Sequence, residues 1–263
     1  MPHPLLRAGL SPFLKAYPFL RPGQAARLRG CFAASPFASG LGLESYYAAR
    51  LDLLLRGLKL HGSPLEGGLR VDGLHHYRSA LAADKPVALI GLHSGVLELL
   101  HRVPEAPESR PFLILTAPAF APALTAYMAT GRERDRKGIL WIGSGASKGL
   151  ESGLREVIAK RGVLALMADQ HPGGAEDCEY LALWDRIRVP WPARLLRFLE
   201  SQGFQCLPVS TFLDADGGSR FRFHPVLENA SGPGLRAFLE SAIAAAPEQW
   251  NWSYPKVEAI RQV

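Results

Sequence analysis

Residues 88–101 read ALIGLHSGVLELLH. The stretch opens with an uncharged apolar run that begins at Pro86, "PVALIGL" (86–92), and then meets a histidine, a serine and a glycine. An apolar run of that length, broken by a polar turn, reads as a strand buried on both faces. "SGVLELLHRV" after it has the makings of a helix, with Ser94 as its N-cap and Glu98 in the first turn. His93 therefore stands where a strand hands over to a helix. In open α/β sheets this is the end at which sites collect.

The same reading extends along the chain. "RPFLILT" (110–116), "GILWIG" (138–143), "GVLALMA" (162–168), "FQCLPVSTFL" (204–213) and "SRFRFHPV" (219–226) read as further strands. Between them stand helical stretches: "APALTAYMA", "SKGLESGLREVIAKR", "WPARLLRFLESQG" and "GLRAFLESAIAAA". A polar loop, "DQHPGGAEDCEY", follows the strand at 162–168. Strands alternating with helices predict an α/β fold with a central, mostly parallel sheet flanked by helices. Residues 1–60 read as helical, most clearly "ESYYAARLDLLLRGLKL" (44–60). The expected division is an N-terminal helical, basic and apolar segment over 1–62 and an α/β domain over 63–263.

Composition narrows the partners. Of 263 residues, 48% are hydrophobic, enough for one sizeable core. Three cysteines far apart in sequence, with no C-x2-C spacing, argue against a disulfide framework or a structural zinc site and favour a reducing compartment. No metal is expected at His75-His76 or at Asp177-Cys178-Glu179, which lack a ligand set. No uninterrupted apolar stretch is long enough to span a bilayer. Net charge is +6 with a pI near 9.4, which favours anionic partners. Residues 1–43 carry Arg7, Lys15, Arg21, Arg27 and Arg29 with no acidic residue, among Leu, Phe and Tyr. That mixture suits an anionic membrane surface, and equally an arm packed on the protein's own core. Nucleic acid is suggested by charge alone, without a binding motif.

His93 and Glu98 are one of three His-x4-Glu pairs; His61 with Glu66 and His171 with Glu176 have the same spacing. Residues five apart on one helix are about 140° apart, so they share no face. A histidine outside the helix escapes this limit, and among the three only His93 stands at a strand-to-helix turn. Glu98 is then expected to reach back to one ring nitrogen and leave the other as a base. A histidine that merely caps a strand end remains the competing reading. "GILWIGSGASKGLESG" mimics a nucleotide-binding glycine loop, but Glu151 occupies the place of the third glycine and no Tyr-x3-Lys accompanies it. No Gly-x-Ser-x-Gly nucleophile elbow exists; "GLHSG" has histidine at its centre.

These landmarks stand in an order that resembles the lysophospholipid acyltransferase superfamily, in its branch of bacterial lipid A lauroyl and myristoyl transferases. "LIGLHSGVLELL" resembles the branch's strand–His–x4–Glu block. "TGRERDRKGI" lies where its second-block arginine belongs, and "GVLALMADQHPGG" resembles the approach to its third-block acid. "RIRVPWPARLLRFLESQGFQCLPVSTF" and "APEQWNWSYPK" resemble its later and closing blocks.

The resemblance implies direct transfer of a fatty acyl chain from an acyl carrier protein or CoA thioester to a hydroxyl of a lipid acceptor such as lipid A. No cofactor is implied. It casts His93 as base, Glu98 as its holder, Arg132 with Arg134 as a phosphate site, and Asp169 and Lys148 as substrate-binding residues. Arg186, Arg188, Arg194 and Arg197 are candidates for docking an acidic carrier. Trp250 and Trp252 are expected in the core, with a place at the membrane boundary as the alternative. The implied location is peripheral, on the cytoplasmic face of the bacterial inner membrane. A lipid-binding protein that keeps the fold without the chemistry is the alternative.

Overall fold

The computed structural model describes residues 21–61, 69–95, 110–115, 139–142, 147–169, 179–214, 216, 218–254 and 256–260. Two helices lead: α1 (Pro22–Ala34), with Pro22 in its first turn, and α2 (Leu43–His61). Then come β1 (Leu69–Asp72), α3 (Leu74–Ala82), β2 (Val87–Gly91), β3 (Phe112–Leu115), β4 (Ile139–Ile142), α4 (Ser147–Ala159) and β5 (Val163–Met167). The chain continues through β6 (Glu179–Leu183), β7 (Ile187–Trp191), α5 (Ala193–Ser201), β8 (Gln205–Leu213), β9 (Ser219–Phe223) and α6 (Pro233–Ala245). A 3-10 turn (Pro247–Gln249) and the short β10 (Glu258–Ala259) complete the order.

The main sheet has the order β1-β9-β8-β2-β5-β3-β4. β8, β2, β5, β3 and β4 run parallel; β9 is antiparallel to β8, and β1 runs parallel to β9. β2 is central, and all five of its residues are buried, as an apolar run without alternation predicts. Its side chains still divide by parity. Ala88, Ile90 and Leu92 face a layer that includes Phe32 of α1, Tyr46 of α2, Leu196 of α5 and Leu239 of α6. Val87 and Leu89 face Tyr77 and Leu81 of α3 and Leu53 of α2. The N-terminal helices thus share the core of the sheet: Leu28, Cys31 and Tyr46 are fully buried. Pro208 stands in β8 where the ladder with β2 ends, at Ile90↔Pro208, and the ladder with β9 begins, at Val209↔Phe223.

The sequence reading missed the hairpin of β6 and β7. It took 169–180 as loop and began the next helix at Trp191, two residues before α5. The hairpin escaped because its turn lacks the expected chemistry. Trp184 and Asp185 both lie at positive φ, 48° and 56°, where Asn-Gly is the usual choice. α6 and the α1–α2 connection hold the turn in place. Glu240 accepts the Trp184 backbone N–H at 2.6 Å, Arg236 pairs with Asp185 at 2.9 Å, and the Trp184 ring meets Phe37 edge-on at 5.3 Å. Asp185→Gly removes a left-handed residue and gives up only an ion pair whose acid is 82% exposed. It is expected to stabilise the fold by about 0.5–1 kcal/mol, read as a raised urea midpoint at constant m.

Candidate active site

Two parallel neighbours finish together, and that brings the site into being. β2 and β5 pair residue for residue up to Gly91↔Met167, and the Ala168 N–H continues the ladder to the Gly91 carbonyl at 2.8 Å. His93 and Asp169 each lie two residues past that pair, so they emerge side by side. His93 Nδ1 is 2.8 Å from Asp169 Oδ1, and the His93 backbone N–H donates to Oδ2 at 2.9 Å. The Trp250 indole Nε1–H donates to the same Oδ2 at 2.7 Å. The carboxylate is therefore met by three donors while only 3% exposed; the imidazole beside it is 25% exposed. Burial pushes the Asp169 carboxyl up. The His93 ring charge and the hydrogen bonds from the His93 ring, its backbone N–H and Trp250 outweigh burial and leave the carboxyl below its ordinary pKa. A carboxylate can only accept, so Nδ1 carries a proton, and in the neutral form of the ring the lone pair is on Nε2.

The turn after His93 tolerates only glycine at position 95. Gly95 has φ +60°, and a Cβ there would lie 2.5 Å from the carbonyl carbon, carbonyl oxygen and Oγ1 of Thr211. The Thr211 hydroxyl donates to the Ser94 carbonyl, tying β8 to the same turn. Ser94 Oγ is buried and has no partner among the described residues; the helix expected after it lies outside them.

The closing segment, read from the sequence as core, brackets the histidine from the other side. Gln249 accepts the Leu213 N–H at 2.8 Å and donates to the Leu213 carbonyl at 2.9 Å, mimicking a strand. The Asn251 N–H donates to the His93 carbonyl at 2.9 Å. Trp250 and Trp252 are both fully buried and meet edge-on at 4.5 Å, and Trp252 Nε1–H donates to the Pro247 carbonyl at 2.7 Å.

Arg27 of α1 secures the chain at Trp252–Val257. Its guanidinium donates to the carbonyls of Tyr254 (2.8 Å), Val257 (2.7 Å) and Ser253 (2.9 Å), with a longer contact to Trp252 (3.4 Å). Charged donors to half-buried carbonyls are the stronger kind of hydrogen bond. Arg27→Met keeps the apolar stem and loses the fork. It is expected to lower the unfolding free energy by about 2–3 kcal/mol in urea titration.

Of the residues singled out from the sequence, His93 and Asp169 are brought together, although they had been given different tasks. Asp169 stands at Nδ1, one of the two ring nitrogens that Glu98 was expected to reach. Glu98, Arg132 and Arg134 lie outside the described residues. Lys148 falls in the first turn of α4. The arginines proposed for carrier docking are partly engaged: Arg197 pairs with Glu179, and Arg188 lies over the Tyr180 ring at 4.0 Å. The sequence suggests core packing or a place at the membrane boundary for Trp250; nothing local in "EQWNW" signals its bond to Asp169. Among the described residues no group of three or more His, Cys, Asp or Glu is placed to hold a metal, and no helix is long and apolar enough to cross a membrane.

Comparison with known proteins agrees with the family that the sequence resembles. The family described as bacterial lipid A biosynthesis acyltransferase matches residues 45–257, a span that includes His93, Asp169 and the closing tryptophans. No curated protein matches the chain.

Proposed function

Since the chain belongs to the bacterial lipid A biosynthesis acyltransferase family, we propose that it moves a fatty acyl chain from a thioester of acyl carrier protein or CoA to a hydroxyl of a phosphorylated lipid acceptor, with His93 as general base. The observation that carries this reading is the His93–Asp169 pair at the ends of β2 and β5, one partner buried and charged, the other reaching solvent.

The chemistry follows from the tautomer. His93 Nε2 takes the acceptor's hydroxyl proton as its oxygen attacks the thioester carbonyl. The new C–O bond forms, the C–S bond breaks, and the proton passes from Nε2 to the departing thiolate. Asp169 holds the ring in position and stabilises the imidazolium between these two transfers. We assign the contact at Nδ1 to Asp169 on its 2.8 Å distance, and Glu98 stays the proposed second carboxylate acting with His93. Arg132, Arg134 and Lys148 remain the proposed contacts for acceptor or donor phosphate, where a guanidinium fork suits a phosphate group. Backbone N–H groups after His93 are the proposed oxyanion donors. Peripheral association with the cytoplasmic face of the inner membrane belongs to the same proposal.

The test is transfer by the purified protein. A labelled acyl carrier protein or CoA thioester is supplied with a phosphorylated glycolipid in anionic vesicles, and the lipid is examined by mass spectrometry. Addition of one acyl group is expected. Hydrolysis of the thioester with no acylated lipid, from either donor, would remove the reading.

A further inference from the structure

The proposed base is held by a group that is itself held, and the outer contact has no counterpart in the assigned chemistry. We infer that Trp250 is a positioning residue for the reaction: its indole N–H fixes the Asp169 carboxylate so that Oδ1 stays directed at His93 Nδ1. The inference rests on the reading of His93 as base.

Three observations support it. The first is the division of donors. Oδ2 takes both the Trp250 indole and the His93 backbone N–H, at 2.7 and 2.9 Å, and Oδ1 is left for the ring at 2.8 Å. Two donors on one oxygen fix the rotation of the carboxylate plane, which a single donor leaves free. The second is the rigidity of the donor. Trp250 is fully buried, packed edge-on with Trp252, and flanked by Gln249 bonded to β8 and Asn251 bonded to the His93 carbonyl. The indole and the histidine backbone are thus carried on one frame. The third is the cost of the arrangement. A buried indole N–H needs an acceptor, and a backbone carbonyl normally serves, as Pro247 serves Trp252. Here the acceptor is a buried carboxylate whose other oxygen faces a solvent-reaching imidazole.

Few charges compete in this setting. Among the described residues, the ionisable groups bonded to the bracket are Arg27 of α1, through the Trp252 and Ser253 carbonyls, and Tyr46 and Arg50 of α2. Tyr46 Oη accepts the Ser253 N–H at 3.0 Å and lies 3.5 Å from Asn251 Oδ1; Arg50 lies 3.5 Å from the Gln249 carbonyl. Asp169 itself is bonded to His93 and Trp250. β8 contributes Thr211, which does not titrate.

Trp250→Phe and Trp252→Phe make the test. Each deletes one indole N–H from the same buried pair of rings, so each removes a hydrogen bond and some packing. The Trp250 variant alone removes a donor from Asp169. Initial rates, thermal stability and the downfield proton resonance of the His93 Nδ1–H are measured for both in the full chain. Trp250→Phe is expected to lower kcat about 10–100-fold with KM within about two-fold, because a loosened holder is felt where charge develops on the ring. The resonance is expected to shift or broaden. Trp252→Phe is expected to lose thermal stability yet keep the resonance.

If kcat falls in both variants in proportion to stability while the resonance stays fixed in both, Trp250 is packing and the inference fails. It fails equally if Trp250→Phe matches wild type. Asp169→Asn separates this failure from the other: if that variant is also fully active, the base reading itself has fallen.

Discussion

Replacing His93 by alanine is expected to abolish acyl transfer, leaving less than about a thousandth of the wild-type rate. No other described imidazole stands at the ends of β2 and β5. His224, whose ring is bonded to Ser210 at 2.9 Å, lies after β9. The fold should survive, because the lost ring is partly exposed and the Asn251 bond is made to the His93 backbone. Stability is nonetheless expected to drop, by about 1–3 kcal/mol, since the buried Asp169 keeps its backbone and indole donors but loses the ring. Transfer rates and urea unfolding measured on the same preparation keep the two effects apart. If His93→Ala turns over normally while folded, the base lies elsewhere.

Asp169→Asn is expected to cost on the order of 10³–10⁴ in kcat, through the tautomer more than the shape. Three N–H groups point at this side chain. A carboxylate accepts all three; an amide has one acceptor oxygen and one donor nitrogen. With the amide oxygen facing the His93 backbone and Trp250, the NH2 faces Nδ1 and forces the ring proton onto Nε2. The nitrogen needed as base is then blocked. KM for acceptor should change little, because the residue is buried, with its side chain only 3% exposed.

A second consequence concerns stability against pH. The folded pKa of Asp169 lies below its unfolded value, so its ionised form favours the folded state above the ordinary carboxylate range. That contribution is lost as pH falls through the lowered folded value. The stability difference between wild type and Asp169→Asn should therefore be largest near neutrality and narrow in acid. A difference that stays constant down to strongly acid pH would show that the native carboxylate is not preferentially ionised.

Much of this was legible from residues. The apolar runs at 86–92, 162–168 and 204–213 became β2, β5 and β8, and "GLRAFLESAIAAA" became α6 to within a residue. His93 was placed at a strand's C-terminal end from a run, a serine and a glycine. The block order indicated the family that the match over 45–257 supports. What stayed hidden was hidden for physical reasons. The β6–β7 turn uses Trp184 and Asp185 in a left-handed conformation that only tertiary contacts with Glu240, Arg236 and Phe37 make tenable. Local propensity argues against such a turn.

The sequence by itself determined which segments are buried strands and that a histidine stands at the end of one of them. Those properties depend on neighbours within a few residues. Only the tertiary structure decided what holds that histidine. Asp169 is 76 residues away in sequence, and it arrives because β5 lies beside β2 in register, an order of strands that no local pattern encodes. Trp250 is 81 residues further on and arrives because the segment after α6 folds back over both strand ends. Hydrogen bonds act over about 3 Å, and strand order decides which residues come within that reach.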